Sequence, residues 1–366
     1  MANMPSRRRS ARARLLAGAA LCLSLFALPT APARAQDSAW AGGDANAKAL
    51  AALYAEAQQA KQGKVVVYGG YSALFKPLWE VFSKRYPAVE IVPNPLSGAR
   101  LVSKLDAEFA SGQHEADILM AGMTELLSTV SKDRAQPFRP PNVGALPARY
   151  VDGQGRFVIQ FADVFGMVYN TAQMKTADLP KTLADLGDPK YKGMVIDNPL
   201  AGGLTTLTWI ELYNSGKLDG KTMKALRDNA SVVPSVTPFY ANLSTGSIKL
   251  IPWGSFTRYI QMKEAGAPVG YHAVPGMVVP LYGGTAILKG APNPKAAQLF
   301  QAWFVTPEAQ NALITRGYSF PLLPGVNTPA GWPVLKDLVD SLKVISPADY
   351  TTVRGRFESA VKDSLK

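Results

Sequence analysis

The stretch Gly63 to Tyr86, GKVVVYGGYSALFKPLWEVFSKRY, sets a short apolar strand, a glycine turn and an amphipathic helix in direct succession. Val65, Val66, Val67 and Tyr68 are β-branched or aromatic and stop at Gly69-Gly70, a run of strand length and strand composition. Beyond it Leu74, Phe75, Leu78, Trp79 and Phe82 recur at helical spacing, which leaves Lys76, Glu80, Lys84 and Arg85 on the other side. Pro77 fits only a first turn, so the helix is predicted to begin near Phe75, with Tyr71 and Ser72 in the turn above the strand. In an open α/β sheet, ligands sit at the carboxyl ends of strands beside helix N-termini, whose free N–H groups attract polar or negative groups. Gly70, Tyr71 and Ser72 are therefore the first candidate ligand contacts, set against the plainer reading of a turn that only reverses the chain.

Upstream, residues 1–35 read as an export signal. Arg7, Arg8, Arg9, Arg12 and Arg14 form a positive region, Leu15 to Leu28 is apolar, and Ala33-Arg34-Ala35 supplies small residues for cleavage. The apolar run is shorter than the roughly 20 residues of a membrane span. Ordinary secretion is expected over twin-arginine export, because Ser10 and Ala11 follow the arginines. Cleavage before Gln36 leaves 331 residues and removes Cys22, the only cysteine, so disulfides, thiol nucleophiles and cysteine metal sites are excluded. It also removes six arginines, which reduces 39 Lys+Arg against 27 Asp+Glu to 33 against 27. With no dense basic stripe after Gln36, nucleic-acid binding has no support.

Downstream, Val89 to Val92 is predicted as a second strand and Ala99 to Ser111 as a helix ended by Gly112. A third strand covers Ala116 to Met120 and leads into Ala121 to Thr124. Three strand, turn and helix units in a row predict a parallel sheet whose exits share one edge. Ser97, Gly98 and Arg100 at the second exit, and Gly122 and Thr124 at the third, join the candidate contacts. An apolar strand running from Asp163 to Asn170 is expected to cross between two lobes. Thr205 opens a helix from Leu204 to Asn214, and Ile248 to Trp253 is a strand whose exit carries Ser255 and Phe256. Met277 to Leu281 is a further strand, followed by Tyr282 and Gly283-Gly284. The division expected is 36–163 for the first lobe, 164–281 for the second and 282–366 for the return to the first and the C-terminal helices.

Catalytic constellations are missing. The chain has no Gly-x-Ser-x-Gly, His-Glu-x-x-His, Gly-x4-Gly-Lys-Ser/Thr or Gly-x-Gly-x-x-Gly, and only His114 and His272 supply imidazole. Structural roles are expected for both histidines, and no catalytic residue, cofactor or metal ligand is assigned. Glycines, small hydroxyls and the aromatic rings of Tyr71, Trp253, Phe256 and Tyr282 at strand exits instead make up a small-molecule cleft.

GKVVVYGGYS, Ala116-Asp117-Ile118, LADLGDPKYKGMV, the run KGAPNPKAAQLFQAWFVTPEAQ and Gly317-Tyr318-Ser319-Phe320-Pro321 together resemble a periplasmic substrate-binding protein of an ABC importer. The resemblance is to the type 2 group of ferric-ion, thiamine, polyamine, phosphonate and sugar-phosphate binders. It implies an α/β fold of two Rossmann-like lobes that close on ligand by a hinge, periplasmic location, monomeric state, and a permease and ATPase as partners. Ferric binders of this group use adjacent tyrosines after the strand that here ends at Trp253, often with a histidine in the first turn and a carboxylate. This chain has Gly254-Ser255-Phe256-Thr257 and Tyr71 there. The expectation is therefore a small anionic organic solute, a phosphonate, phosphate ester or carboxylate, with Arg100 as counter-charge. Ferric ion, or a thiamine-like or polyamine cation stacked on aromatic rings and neutralised by Asp163 or Asp197, is the alternative within the family. An exported enzyme on the same fold is the alternative from another class.

Overall fold

The computed structural model describes residues 38–200, 204–234, 236–335, 338 and 347–364; the segment expected to be an export signal lies outside them. After helix α1 (Asp44–Gln59), strand β1 (Lys64–Tyr68) enters a short helix α2 (Gly70–Leu74) and then α3 (Lys76–Arg85). The turn expected at Tyr71 and Ser72 is thus itself helical, and Pro77 stands in the first turn of α3. Gly69 has φ +143°, and a Cβ there would lie 1.7 Å from the Met120 carbonyl oxygen, so close backbone approach fixes this glycine.

Strand β2 (Glu90–Asn94) and helix α4 (Gly98–Ser111) follow, then β3 (Ile118–Gly122), which passes without a loop into α5 (Met123–Ser131). β2 extends further than expected and includes Pro93. It stands at the end of the sheet order, where a missing N–H is tolerated. β1 pairs in parallel with both β2 and β3, so the three exits share one edge as predicted. Among the described residues the main sheet has nine strands, including β4 (Ala135–Gln136), β5 (Val158–Asn170), β8 (Leu250–Ser255), β9 (Val269–His272), β10 (Val279–Leu288) and β11 (Phe320–Pro321). A separate two-stranded parallel sheet joins β6 (Met194–Asp197) to β7 (Ala230–Val233), with α6 (Leu204–Asn214) and α7 (Gly220–Asn229) between them in sequence and α7 packed on β7.

β5 is buried along all thirteen residues and organises the site. Its first half pairs with β10 and β11, and its second half pairs with β8 and β9. Gly283-Gly284, expected as a break, lies inside β10 at a register shift. A Cβ on Gly283 would strike the Phe161 ring at 2.3 Å, and one on Gly284 the Val158 carbonyl at 2.0 Å. α8 (Tyr240–Thr245) precedes β8, and α9 (Phe256–Glu264) follows it. α10 (Pro294–Trp303), α11 (Pro307–Thr315) and a C-terminal helix α12 (Pro347–Ser364) complete the described elements. Phe75, Trp79, Phe82, Phe300, Trp303 and Phe304 form one aromatic core that fixes α3 against α10.

Candidate functional site

Asp163 lies on β5 between the pairing with β11 and the pairing with β8, and it is completely buried. Its Oδ2 accepts hydrogen bonds from the Tyr71 hydroxyl at 2.8 Å and the Ser255 hydroxyl at 2.5 Å. Its Oδ1 accepts from the backbone N–H groups of Val164 at 2.8 Å and Thr257 at 3.2 Å. Three elements thus meet on one carboxylate: α2 through Tyr71, β8 through Ser255 and the first turn of α9 through Thr257. Burial pushes the Asp163 carboxyl up, and the hydroxyl and N–H donors pull it down; burial wins.

Two further phenols frame this centre. The Tyr240 hydroxyl accepts from the Ser255 N–H at 2.7 Å, and the Tyr271 hydroxyl donates to the Val164 carbonyl at 3.1 Å. Burial raises Tyr71, Tyr240 and Tyr271 above the ordinary phenol range, and the Asp163 charge adds to this in each. Arg258 opposes it: its charge lowers Tyr71 and Tyr240. This guanidinium stands in the first turn of α9, half-buried, and no carboxylate among the described residues forms an ion pair with it. Among the described residues no three His, Cys, Asp or Glu side chains converge. The concentration of oxygen donors at Asp163 is therefore made by phenols and hydroxyls.

The other expected contacts fall into three groups. Gly70 and Ser97 meet, a Cβ on Gly70 lying 3.5 Å from Ser97 Cβ, and with Gly98 and exposed Arg100 they form the rim of the shared sheet edge. The Ser72 hydroxyl closes its own turn on the Gly69 carbonyl at 2.7 Å. Gly122 caps α5, and the Thr124 hydroxyl in its first turn is buried without a partner. Thr206 and Thr208 on α6 are likewise buried with unpartnered hydroxyls, while the Thr205 side chain lies outside the described ones. The aromatic rings already have protein neighbours. Trp253 packs on Trp209 at 4.5 Å and donates to the Met277 carbonyl, Tyr282 packs on Tyr150 at 5.5 Å, and Phe256 sits among Tyr259, Tyr271, Phe320 and Trp332.

Tyr240, Arg258 and Tyr271 escaped the sequence reading because their convergence is long-range. Asp163 carried a legible signal, since a lone carboxylate in a strand made mostly of apolar residues demands compensating partners.

The sequence pattern of the family of bacterial extracellular solute-binding proteins matches residues 78–338. The chain belongs to that family. Its members' role makes it the solute-binding component of an ABC importer, acting by binding and working outside the cytoplasmic membrane. A similar sequence is the Fe(3+)-binding periplasmic protein of Serratia marcescens, 26% identical over 294 residues that cover 73% of this chain and 80% of the relative. Two solved structures share the fold. Iron-bound HitA from Pseudomonas aeruginosa is 20% identical with a TM-score of 0.67, covering 82% of this chain and 99% of that one. AfuA from Actinobacillus pleuropneumoniae with fructose-6-phosphate is 20% identical with a TM-score of 0.69, again covering 82% and 99%. The fold is that of type 2 periplasmic binding proteins, the α/β class expected from the sequence.

Proposed function

We propose that this exported protein carries ferric iron to its permease and holds it at Asp163, Tyr71 and Tyr240. The observation that carries the reading is the meeting of phenol and carboxylate oxygens around Asp163 and Ser255. Ferric ion is hard and prefers anionic oxygen, and one carboxylate with two phenolates would match its three positive charges. The tyrosine pair missing after Trp253 is no longer decisive, because Tyr240 reaches the same strand exit from α8 and touches the Ser255 N–H. Arg258 supports the chemistry by favouring phenolate over phenol at both tyrosines. The name of the Serratia relative points the same way. In this reading a first lobe over 36–163 with 282–366 and a second over 164–281 close on the ion by a hinge, after a signal peptide over 1–35 is removed.

The same unpaired Arg258 also favours a second reading, an anionic organic solute such as a phosphate ester, with the guanidinium as counter-charge in place of Arg100. Native mass spectrometry of protein purified without refolding, followed by release of the bound species, separates the two. An iron-containing mass of one per chain supports the first reading. A bound phosphorylated or carboxylated compound without iron overturns it in favour of the second. Arg258→Ala sharpens the contrast, since the ferric site would keep its ligands and lose part of its affinity, whereas the anion site would lose the counter-charge that this reading assigns to it.

A further inference from the structure

The turn Gly317-Tyr318-Ser319, which follows α11, has no role in the ligand set and yet touches both sides of Asp163. Ser319 is completely buried, and its hydroxyl donates to the Ala162 carbonyl at 2.7 Å, one residue before Asp163. The Tyr318 carbonyl accepts from the Thr257 hydroxyl at 2.9 Å, and the N–H of that same threonine donates to Asp163. At the other end of α9 the Tyr318 phenol donates to Glu264. Thr257 and Glu264 are seven residues apart, two helical turns, and so share one helix face over about 10 Å. One residue therefore grips α9 near both ends, by its backbone at the first turn and by its side chain at the last.

The backbone shows that a tyrosine is kept here against its preference. Tyr318 has φ +51°, in the left-handed region that favours glycine, although the neighbouring residue is a glycine. Gly317 does not take the positive φ itself. A Cβ on it would lie 2.8 Å from the Leu313 carbonyl oxygen and 3.3 Å from the Phe75 ring, so close packing accounts for that glycine. The left-handed position thus falls to a residue whose side chain and carbonyl are both in use, the pattern of backbone strain retained at a working site.

We infer that Tyr318 is a positioning residue of the binding site: it clamps α9 so that Thr257, and through it the Asp163 carboxylate, is held in register with Tyr71. The inference rests on the reading of Asp163 as the centre of the ligand site, and not on which ligand is bound there.

The test uses the full mature chain with three variants. Tyr318→Gly keeps the carbonyl, suits the left-handed backbone and removes the grip on Glu264; Thr257→Val removes the hydroxyl that meets the Tyr318 carbonyl; Thr257→Ser restores it. Affinity for ferric nitrilotriacetate, melting temperature and the exchange rate of the backbone amide at position 257 are measured for each. The expected result is a roughly three- to tenfold loss of affinity in Tyr318→Gly and Thr257→Val, with recovery in Thr257→Ser. In Tyr318→Gly this loss accompanies an unchanged or raised melting temperature, because strain has been removed. Unchanged affinity in both variants, or losses that only follow a falling melting temperature, would overturn the inference. If the parent protein takes up no ferric ion, the ligand reading fails by itself, and amide exchange decides the positioning. Exchange of the backbone amide at position 257 roughly tenfold faster in ligand-free Tyr318→Gly and Thr257→Val supports the clamp. Unchanged exchange contradicts it.

Discussion

Two buried aspartates, Asp117 and Asp163, are held by different kinds of partner, scaffold amides for the first and, at the site we propose, hydroxyls for the second. Both are completely buried, and burial raises both carboxyls. Asp117 accepts from the Val66 N–H at 2.8 Å, from the Asn293 N–H at 2.5 Å and from the Asn293 side-chain amide. None of those donors can become an anion, and all belong to elements of one side of the main sheet, β1 and the start of α10. Asp163 gathers the hydroxyls of Tyr71 and Ser255 with the N–H of Thr257, from α2 and from the β8–α9 junction, two segments distant in sequence from each other and from β5. A hydroxyl can surrender its bond or its proton to an arriving ligand, and a backbone amide in a strand cannot. The difference teaches that burial alone does not mark a binding carboxylate; exchangeable partners do.

Substitutions at the two positions should separate most widely in ligand affinity. Tyr71→Phe and Asp163→Asn are each expected to weaken ferric uptake more than about 100-fold, beyond the 10–100-fold typical of groups outside the ligand shell. Equilibrium dialysis against a competing chelator reads this directly, and a loss below tenfold would break the contrast. Asp117→Ala should do the reverse. It is expected to reduce unfolding free energy by about 4 kcal/mol in urea titration, through N–H groups left without acceptors, with affinity per folded molecule unchanged.

A third buried carboxylate sharpens the comparison. Glu125, in the first turn of α5, has an unpartnered Oε2, and burial pushes its carboxyl from 4.5 up to about 7, against the opposing charge of Arg354. A folded-state value above the unfolded one means that the folded chain takes up a proton. Its contribution to stability is complete below the ordinary carboxylate range and is lost as pH rises from about 4.5 to about 7. Glu125→Gln should flatten that part of the stability profile and gain up to about 3 kcal/mol at pH 8, measured by urea unfolding across the range. A profile unchanged by the substitution would show that Glu125 is ionised and solvated. The smallest effect is expected at Arg100, exposed on the rim: Arg100→Ala should change ferric affinity less than twofold.

The sequence made the parallel β1–β2–β3 sheet legible, because short β-branched runs alternated with helical periodicity and glycine stops. The reason for Gly69, pressed against Met120, was not legible, since it lies in a contact 51 residues away. Gly283-Gly284 misled for a related cause. Glycines that admit a neighbouring strand and the Phe161 ring look, in one dimension, like glycines that end a strand. Tyr71 and Ser255 were read as neighbours of strand exits, and the structure joins them through Asp163. Asp163 itself entered only as a possible partner for a cationic ligand. Tyr240, Arg258 and Tyr271 stayed hidden because nothing local distinguishes a tyrosine aimed at a site from one in a core.

The central claim is that phenolate oxygens beside Asp163 bind ferric ion, and visible absorption during titration with ferric nitrilotriacetate tests it most directly. The account predicts a phenolate-to-iron charge-transfer band that saturates at one iron per chain, weakens in Tyr71→Phe, disappears when Tyr71 and Tyr240 are both replaced by Phe, and weakens as pH falls because ligation releases phenol protons. A colourless protein that takes up no iron, and binds a phosphorylated solute through Arg258, would contradict it.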